Sequence, residues 1–194
     1  MPAHRRAVWS DLWRVPPGLK AEILDGTIET MPSAGFEHQE LVSDLSSDIR
    51  GRFQHGRGGP GGWWIVPDVD VALGPHDVVR PDLSGWRKER VPIKPQRPVE
   101  VVPDWVCEVL SPSNAAHDRL TKMELYRRYG VAFVWLVDPA LRIIEAYRLE
   151  TLYVRLGAWS TETEARIEPF DAVPLDVAGM FAVLGADGGT VEGG

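Results

Sequence analysis

The sequence predicts a mixed α/β fold of the α+β kind: a central β-sheet flanked by helices, with an N-terminal β-hairpin. Three observations carry that expectation. Short runs that alternate apolar and polar residues recur along the chain, and Asp25-Gly26 between two of them is a strong hairpin signal. One stretch, Glu37–Phe53, instead repeats apolar residues at helical spacing, and a second helix, about Ala115–Tyr129, is bounded by cap residues before it and Gly130 after it. The short apolar runs Val101–Leu110 and Phe133–Val137 flank the second helix, which is the pattern of a parallel crossover.

The elements follow in order. Ser10 is placed to cap a short helix over Asp11–Arg14, which Pro16-Pro17 stop. The hairpin spans Lys20–Met31, with Ile23 and Ile28 facing the core and Glu22 on its first strand. The helix over Glu37–Phe53 carries His38, Leu41, Val42, Leu45, Ile49 and Phe53 on one stripe. Gly56–Gly62 ends it as a flexible loop, without the Gly-Lys-Ser/Thr ending of a phosphate-binding loop.

Trp63–Leu73 reads as one strand, with Val69, Val71 and Leu73 in alternation. Gly74-Pro75 turns it, and Val78–Trp86 is the next strand, containing Asp82. Arg87–Pro98 is a charged, proline-studded connection, either solvated or partner-facing. In Val101–Leu110, Trp105, Cys107 and Val109 point to one face, and Val106, Glu108 and Leu110 to the other. Ser111-Pro112-Ser113-Asn114 supplies turn and cap chemistry for the second helix, and Gly130 ends it. Ile143–Leu149 and Leu152–Leu156 form a further hairpin. The rest closes as a loop and a short segment through Phe170 and Pro174-Leu175. Residues 1–184 are expected to form a single domain and 185–194 a flexible Gly-rich tail.

Composition narrows the function classes. With 44% hydrophobic and 25% charged residues, the chain can build a sizeable core in water. A single cysteine, Cys107, cannot form an internal disulfide, which points to a reducing cytoplasm. It reads as a buried inert thiol or, alternatively, a nucleophile. The first residues lack a signal-peptide core, and the longest clean apolar run, Val131–Val137, is too short to span a membrane. A net charge of −7 argues against a wholly basic surface wrapped in nucleic acid, but leaves room for a local basic groove beside an acidic site. Eight tryptophans imply either large buried aromatic area or an apolar face for a partner.

The chemistry centres on acids in apolar strands. A buried carboxylate must be paired, protonated or metal-bound, because desolvating an unpaired charge costs several kcal/mol. Asp82 and Glu108 are such acids. If their strands are neighbours, the two carboxylates could share Mg²⁺ or Mn²⁺. The alternative is that Asp82 caps a strand and Glu108 pairs with an arginine. Lys122 either forms a surface ion pair with Asp118 or shares a sheet-facing side with Tyr126 and Tyr129, where it could stabilise charge on a phosphate. His38 reads as a satisfied core histidine or a site residue, and Glu22 as a solvated strand residue unless the hairpin folds over the site. No Gly-x-Ser-x-Gly elbow, Cys/His zinc spacing or His-Glu-x-x-His is present.

Pro81-Asp82, then Glu108 in a buried strand, then a helix, resembles the PD-(D/E)XK nuclease superfamily. More closely, the chain resembles its Uma2-type (DUF820) restriction endonuclease branch. The resemblance runs in order through Glu22 with Asp25-Gly26, Met31-Pro32-Ser33, His38, Arg80-Pro81-Asp82-Leu83, Val106–Ser113, Asp118, Lys122, Tyr126, Gly130-Val131 and Trp135–Pro139. It implies a restriction-endonuclease-like core and hydrolysis of nucleic-acid phosphodiesters, DNA foremost, with Mg²⁺ or Mn²⁺. Asp82 and Glu108 would be metal ligands, with the Val109 carbonyl as a third. The superfamily's lysine two residues after the glutamate is here Leu110, and Lys122 on the following helix takes its place. Glu22 and His38 would be additional site residues. Arg87 and Lys88, with Arg90, Lys94 and Arg97, would hold the phosphate backbone. A homodimer is expected. The alternative function is a catalytically inactive nucleic-acid-binding or scaffold protein on the same fold.

Overall fold

The computed structural model describes residues 5–111 and 118–185. Two sheets organise them. A four-stranded sheet has the order β2-β1-β5-β4, and a six-stranded sheet the order β10-β9-β8-β7-β6-β3.

In the small sheet, β1 (Leu19–Leu24) and β2 (Thr27–Pro32) form the expected hairpin around Asp25-Gly26, both at positive φ. β4 (Val71–Gly74) and β5 (Asp77–Val79) form a second hairpin that pairs with it through Ile23 and Val78. Ile23 is fully buried, but its cross-strand partner Ile28 is exposed, because β2 is an edge strand. Val8–Asp11 contacts, not Ser10, set the start of the first helical turn. Residues Trp9–Arg14 form a 3₁₀ helix, and the Asp11 carboxylate accepts from the Val8 N–H at 2.9 Å.

The large sheet contains β3 (Trp63–Pro67), β6 (Leu83–Arg87), β7 (Trp105–Val109), β8 (Phe133–Asp138), β9 (Ile143–Leu149) and β10 (Tyr153–Trp159). The β7/β8 pair is parallel, as the crossover pattern predicts, and the other pairs are antiparallel. α1 (Phe36–Ile49) runs on into a π-helical turn over Arg50–Gln54. α2 (Met123–Tyr129) follows a π-helical turn over Asp118–Lys122 and ends at Gly130, at φ 75°. The Ser113-Asn114 cap and the Asp118 side chain lie outside the described residues.

Three sequence expectations are corrected. The strand expected over Trp63–Leu73 is two strands in different sheets, broken near Asp68, at φ 46°. The strand expected over Val78–Trp86 is likewise β5 and β6 in different sheets, separated by Arg80-Pro81-Asp82; proline cannot donate to a ladder. The strand expected over Val101–Leu110 is only Trp105–Val109, since Pro103 sits in its first half. The closing segment also holds a helix not read from the sequence, α3 (Val177–Ala182), capped by the Asp176 carboxylate on the Gly179 N–H.

The large sheet is covered on both faces. One face packs Trp105, Cys107 and Val109 against the apolar stripe of α1 and the segment from Ala165 to Phe181. The other packs Val106 and Leu110 against Tyr126 and Leu125 of α2 and against β4 and β5. β7 thus buries both faces, in the alternation expected of it. Phe170 seals the first layer, with ring centroids 4.7 Å from Phe53, 4.9 Å from Trp63 and 4.8 Å from Trp105. Removing a large aromatic from such a packed layer costs about 3–5 kcal/mol.

Candidate active site

The register of β6 and β7 builds the centre of the site. Leu83 lies opposite Cys107 as the last pair of that ladder, so continuing the register by one residue brings Asp82, just before β6, alongside Glu108, and Asp82 accepts from the next N–H, that of Val109. Opposed residues of an antiparallel pair project from the same face. Two carboxylates therefore meet where β6 begins and β7 ends. Like charges so placed need cations or N–H donors around them.

Those donors come from every neighbouring layer. Asp82 accepts from the Val109 N–H at 2.8 Å and from the Lys20 ammonium at 3.1 Å, and its Oδ1 lies 3.2 Å from Nε2 of His38. Glu108 accepts from Lys122 at 3.2 Å and from the Tyr126 hydroxyl. Lys122 also lies 2.9 Å from Glu22, whose other oxygen accepts from the Arg80 N–H at 2.7 Å. β1 thus supplies Lys20 and Glu22, the link between the sheets supplies Asp82, β7 supplies Glu108, and α1 supplies His38. The π-helical turn and α2 supply Lys122 and Tyr126.

The electrostatics follow from burial set against these partners. Burial pushes the Asp82 carboxyl up, but His38, Lys20 and the Val109 N–H hold it well below the usual carboxylate range. Burial likewise raises Glu22, and Lys122 and Lys20 more than reverse it, so it too is lowered. Burial works to lower Lys20, and Asp82 and Glu108 outweigh it and raise it. Glu22, Asp82 and Lys20 are therefore charged at neutral pH.

The site opens on a cavity of about 330 Å³, lined by Lys20, His38, Arg80, Asp82, Ser111 and Lys122 among others. Two lysines reach it differently. The Lys20 side chain is 21% exposed, whereas that of Lys122 is 2% exposed at the floor.

Sequence-derived candidates thus converge: Asp82, Glu108, Lys122, Glu22 and His38 share one network. Glu22 is not solvated, because the hairpin does fold over the site. Lys122 turns to the sheet with Tyr126, and so is not the surface cation of the alternative reading. Val109 enters through its backbone N–H. Arg87 and Lys88 are not brought to the site. They lie at the other end of β6, roughly 17 Å from Asp82 at the rise of an extended strand. There Arg87 and Lys88 each stack 4.6 Å from a tryptophan ring, Trp63 and Trp64 respectively. Arg90 is clamped on Asp104 and Arg97 on Asp70. Lys20 and Tyr126 were not singled out as site residues. Their signals were present: Lys20 is two residues from Glu22 on a strand, hence on its face, and Tyr126 is one turn after Lys122.

The donor set bears on metal binding. Among the described residues, no three His, Cys, Asp or Glu side chains are arranged to hold a metal ion together. Two opposed carboxylates do fit Mg²⁺ or Mn²⁺, which take one or two carboxylates and fill the remaining positions with water and substrate phosphate. They do not fit the closed tetrahedral cage of a structural zinc site.

Comparison with known proteins agrees with this fold. A family model described as "Uma2: Putative restriction endonuclease" matches residues 9–178. A crystal structure described as a putative nuclease belonging to DUF820, from Anabaena variabilis ATCC 29413, superposes with a TM-score of 0.71. It is 21% identical in sequence, and the match covers 92% of this chain and 99% of that one. The search of curated proteins gave no match. Among the described residues, no helix is long and apolar enough to cross a membrane.

Proposed function

The chain belongs to the Uma2 family, described as putative restriction endonucleases, and from that membership we propose that it is a Mg²⁺-dependent nuclease hydrolysing phosphodiester bonds, DNA foremost. The observation that carries the reading is the buried carboxylates Asp82, which lines the cavity and accepts from the Val109 N–H, and Glu108, the residue before Val109. These two would hold the metal, with the Val109 carbonyl as a further oxygen. A bound divalent cation there would supply Lewis-acid polarisation of the phosphate and a water of lowered pKa.

The chain's own residues do the rest. The Val109 N–H and His38 fix the Asp82 carboxylate, so its free lone pairs are aimed before substrate arrives. Lys122, between Glu22 and Glu108, holds Glu22 ionised, pairs with Glu108 and places a positive charge at the cavity floor. Lys20 is the more open ammonium and reaches a non-bridging phosphate oxygen. The hairpin excludes bulk water from all three acids, which strengthens each of these interactions.

The test is cleavage of plasmid and oligonucleotide DNA with Mg²⁺ or Mn²⁺, read beside calorimetric Mn²⁺ binding. Wild type should cut, and Asp82→Asn and Glu108→Gln should lose both cutting and Mn²⁺ binding. Undiminished cutting by both variants would sink the proposal. One observation favours a non-catalytic binding module instead: both carboxylates already have a lysine partner within 3.2 Å. Absence of Mn²⁺ binding by the folded wild type would decide for that reading.

A further inference from the structure

The proposed nuclease site is walled in a way that selects its substrate. Asp82 and Glu108 are 7% and 2% exposed, and the cavity that Asp82 lines is about 330 Å³. That is the low end of the roughly 300–1,000 Å³ of pockets that enclose one small molecule. The segment from β2 into α1 forms one wall, through Met31, Pro32 and Gly35, and Leu19 of β1 adds to it. This wall is apolar or neutral.

A duplex needs the opposite. Its affinity comes from rows of lysine and arginine set against successive phosphates on an open surface. Among the described residues, three arginines on the connections around the large sheet are held in ion pairs. Arg80 lies 2.6 Å and Arg97 2.6 Å from Asp70, and Arg90 lies 2.9 Å from Asp104. Arg87 and Lys88 lie on tryptophan rings at the far end of β6.

An exposed aromatic ring lies next in the chain to the cavity wall at Gly35. Phe36 opens α1 and is 80% exposed. It sits between Gly35 and Gln39, both of which line the cavity, the latter within one helical turn. A base stacks on such a ring whatever its identity. Lys20 lines the cavity, its side chain 21% exposed and its ammonium 3.1 Å from Asp82.

We propose that this site takes single-stranded nucleic acid, admitting one nucleotide to the cavity with a neighbouring base stacked on Phe36. The inference rests on the nuclease reading for the chemistry, but not for the binding preference. The experiment therefore reads the two separately. Fluorescence anisotropy in EDTA compares labelled oligothymidylate, oligouridylate and a mixed-sequence DNA duplex, for wild type and Phe36→Ala. Single strands, of DNA or RNA, should bind about tenfold or more tighter than duplex. Phe36→Ala should lose about tenfold on single strands, with its urea midpoint unchanged because the ring is exposed. Equal or tighter duplex binding, no binding of any strand, or Phe36→Ala binding like wild type would each overturn the proposal. Cleavage of the same oligonucleotides with Mn²⁺ is the second arm. Cutting of single strands ahead of duplex supports the proposal. Failure to cut either one removes the nuclease reading and leaves the substrate preference to the anisotropy result.

Discussion

Replacing Lys122 by Met should unfold the chain more readily, and by an amount the structure allows to be worked out. The ammonium lies 2.9 Å from Glu22 and 3.2 Å from Glu108, and neither carboxylate is more than 2% exposed. Methionine preserves most of the stem's volume, so the packing term is small. The loss is electrostatic: two buried carboxylates lose a shared cation. The Arg80 N–H on Glu22 and the Tyr126 hydroxyl on Glu108 remain and soften the effect. Removing one partner of a buried pair costs about 3–5 kcal/mol. With a urea m-value of about 2 kcal/mol/M, the midpoint should fall by about 1.5–2.5 M at pH 7.

The pH dependence carries the sign. In wild type, Glu22 is lowered although burial pushes it up, because Lys122 and Lys20 pull it down. Without Lys122, burial dominates and the folded-state pKa rises above the unfolded value of about 4.3. A raised acid stabilises the fold below its unfolded pKa and loses that stability as pH rises through the folded value. The deficit of Lys122→Met should therefore widen from pH 5 to pH 8. Adding Glu22→Gln should recover part of it, with a coupling above about 1 kcal/mol. Equilibrium urea unfolding followed by tryptophan fluorescence gives all four numbers. A midpoint within about 0.3 M of wild type, flat with pH, would refute the network as drawn.

Three further outcomes can be checked, two by the same unfolding measurement and one by thiol labelling. Phe170→Ala should cost about 3–5 kcal/mol, since the ring closes a layer of Phe53, Trp63, Trp105 and Trp135. A stability loss under about 1 kcal/mol would show the layer to be loosely packed. Cys107 is fully buried, and burial first, then Asp82 and Glu108, push its thiol well up. Iodoacetamide should thus leave it unmodified in the native protein at pH 8 and label it in urea; rapid native labelling would contradict the burial. Asp70 is lowered despite burial, by Arg97, Arg80 and Trp9. Its contribution is present above the ordinary carboxylate pKa and is lost as pH falls through the folded value. Asp70→Asn should therefore be less stable than wild type at pH 7, with the gap closing below about pH 4.

How far the sequence went depended on where the signal was local. The alternation Trp105, Cys107, Val109 against Val106, Glu108, Leu110 was legible, because a strand buried on both faces writes its two sides in order. So was the parallel β7/β8 pair, since a helix separates them. The break at Arg80-Pro81-Asp82 was not read, although proline marked it, because the apolar pattern runs on across it. Nothing short-range says that β5 and β6 belong to different sheets. Lys20 went unremarked for a related reason: a lysine on a half-buried strand gives no sign that the strand lies over someone else's aspartate. Phe170 sat in what reads as loop, because an isolated aromatic among Pro, Glu and Asp has no period. Its importance is tertiary.

The chain crosses between its two sheets at Asp82, and that has a consequence for how the protein comes into being. The hairpin that brings Lys20 and Glu22 is made early, Glu108 comes later, and Lys122 arrives with a helix after that. No fragment of the chain, and no intermediate in which only one sheet has formed, holds the full set of charges together. An agent that cuts nucleic acid endangers the cell that synthesises it. On the proposed nuclease reading, the site would be complete only once the turn and helix that carry Lys122 and Tyr126 pack against both sheets.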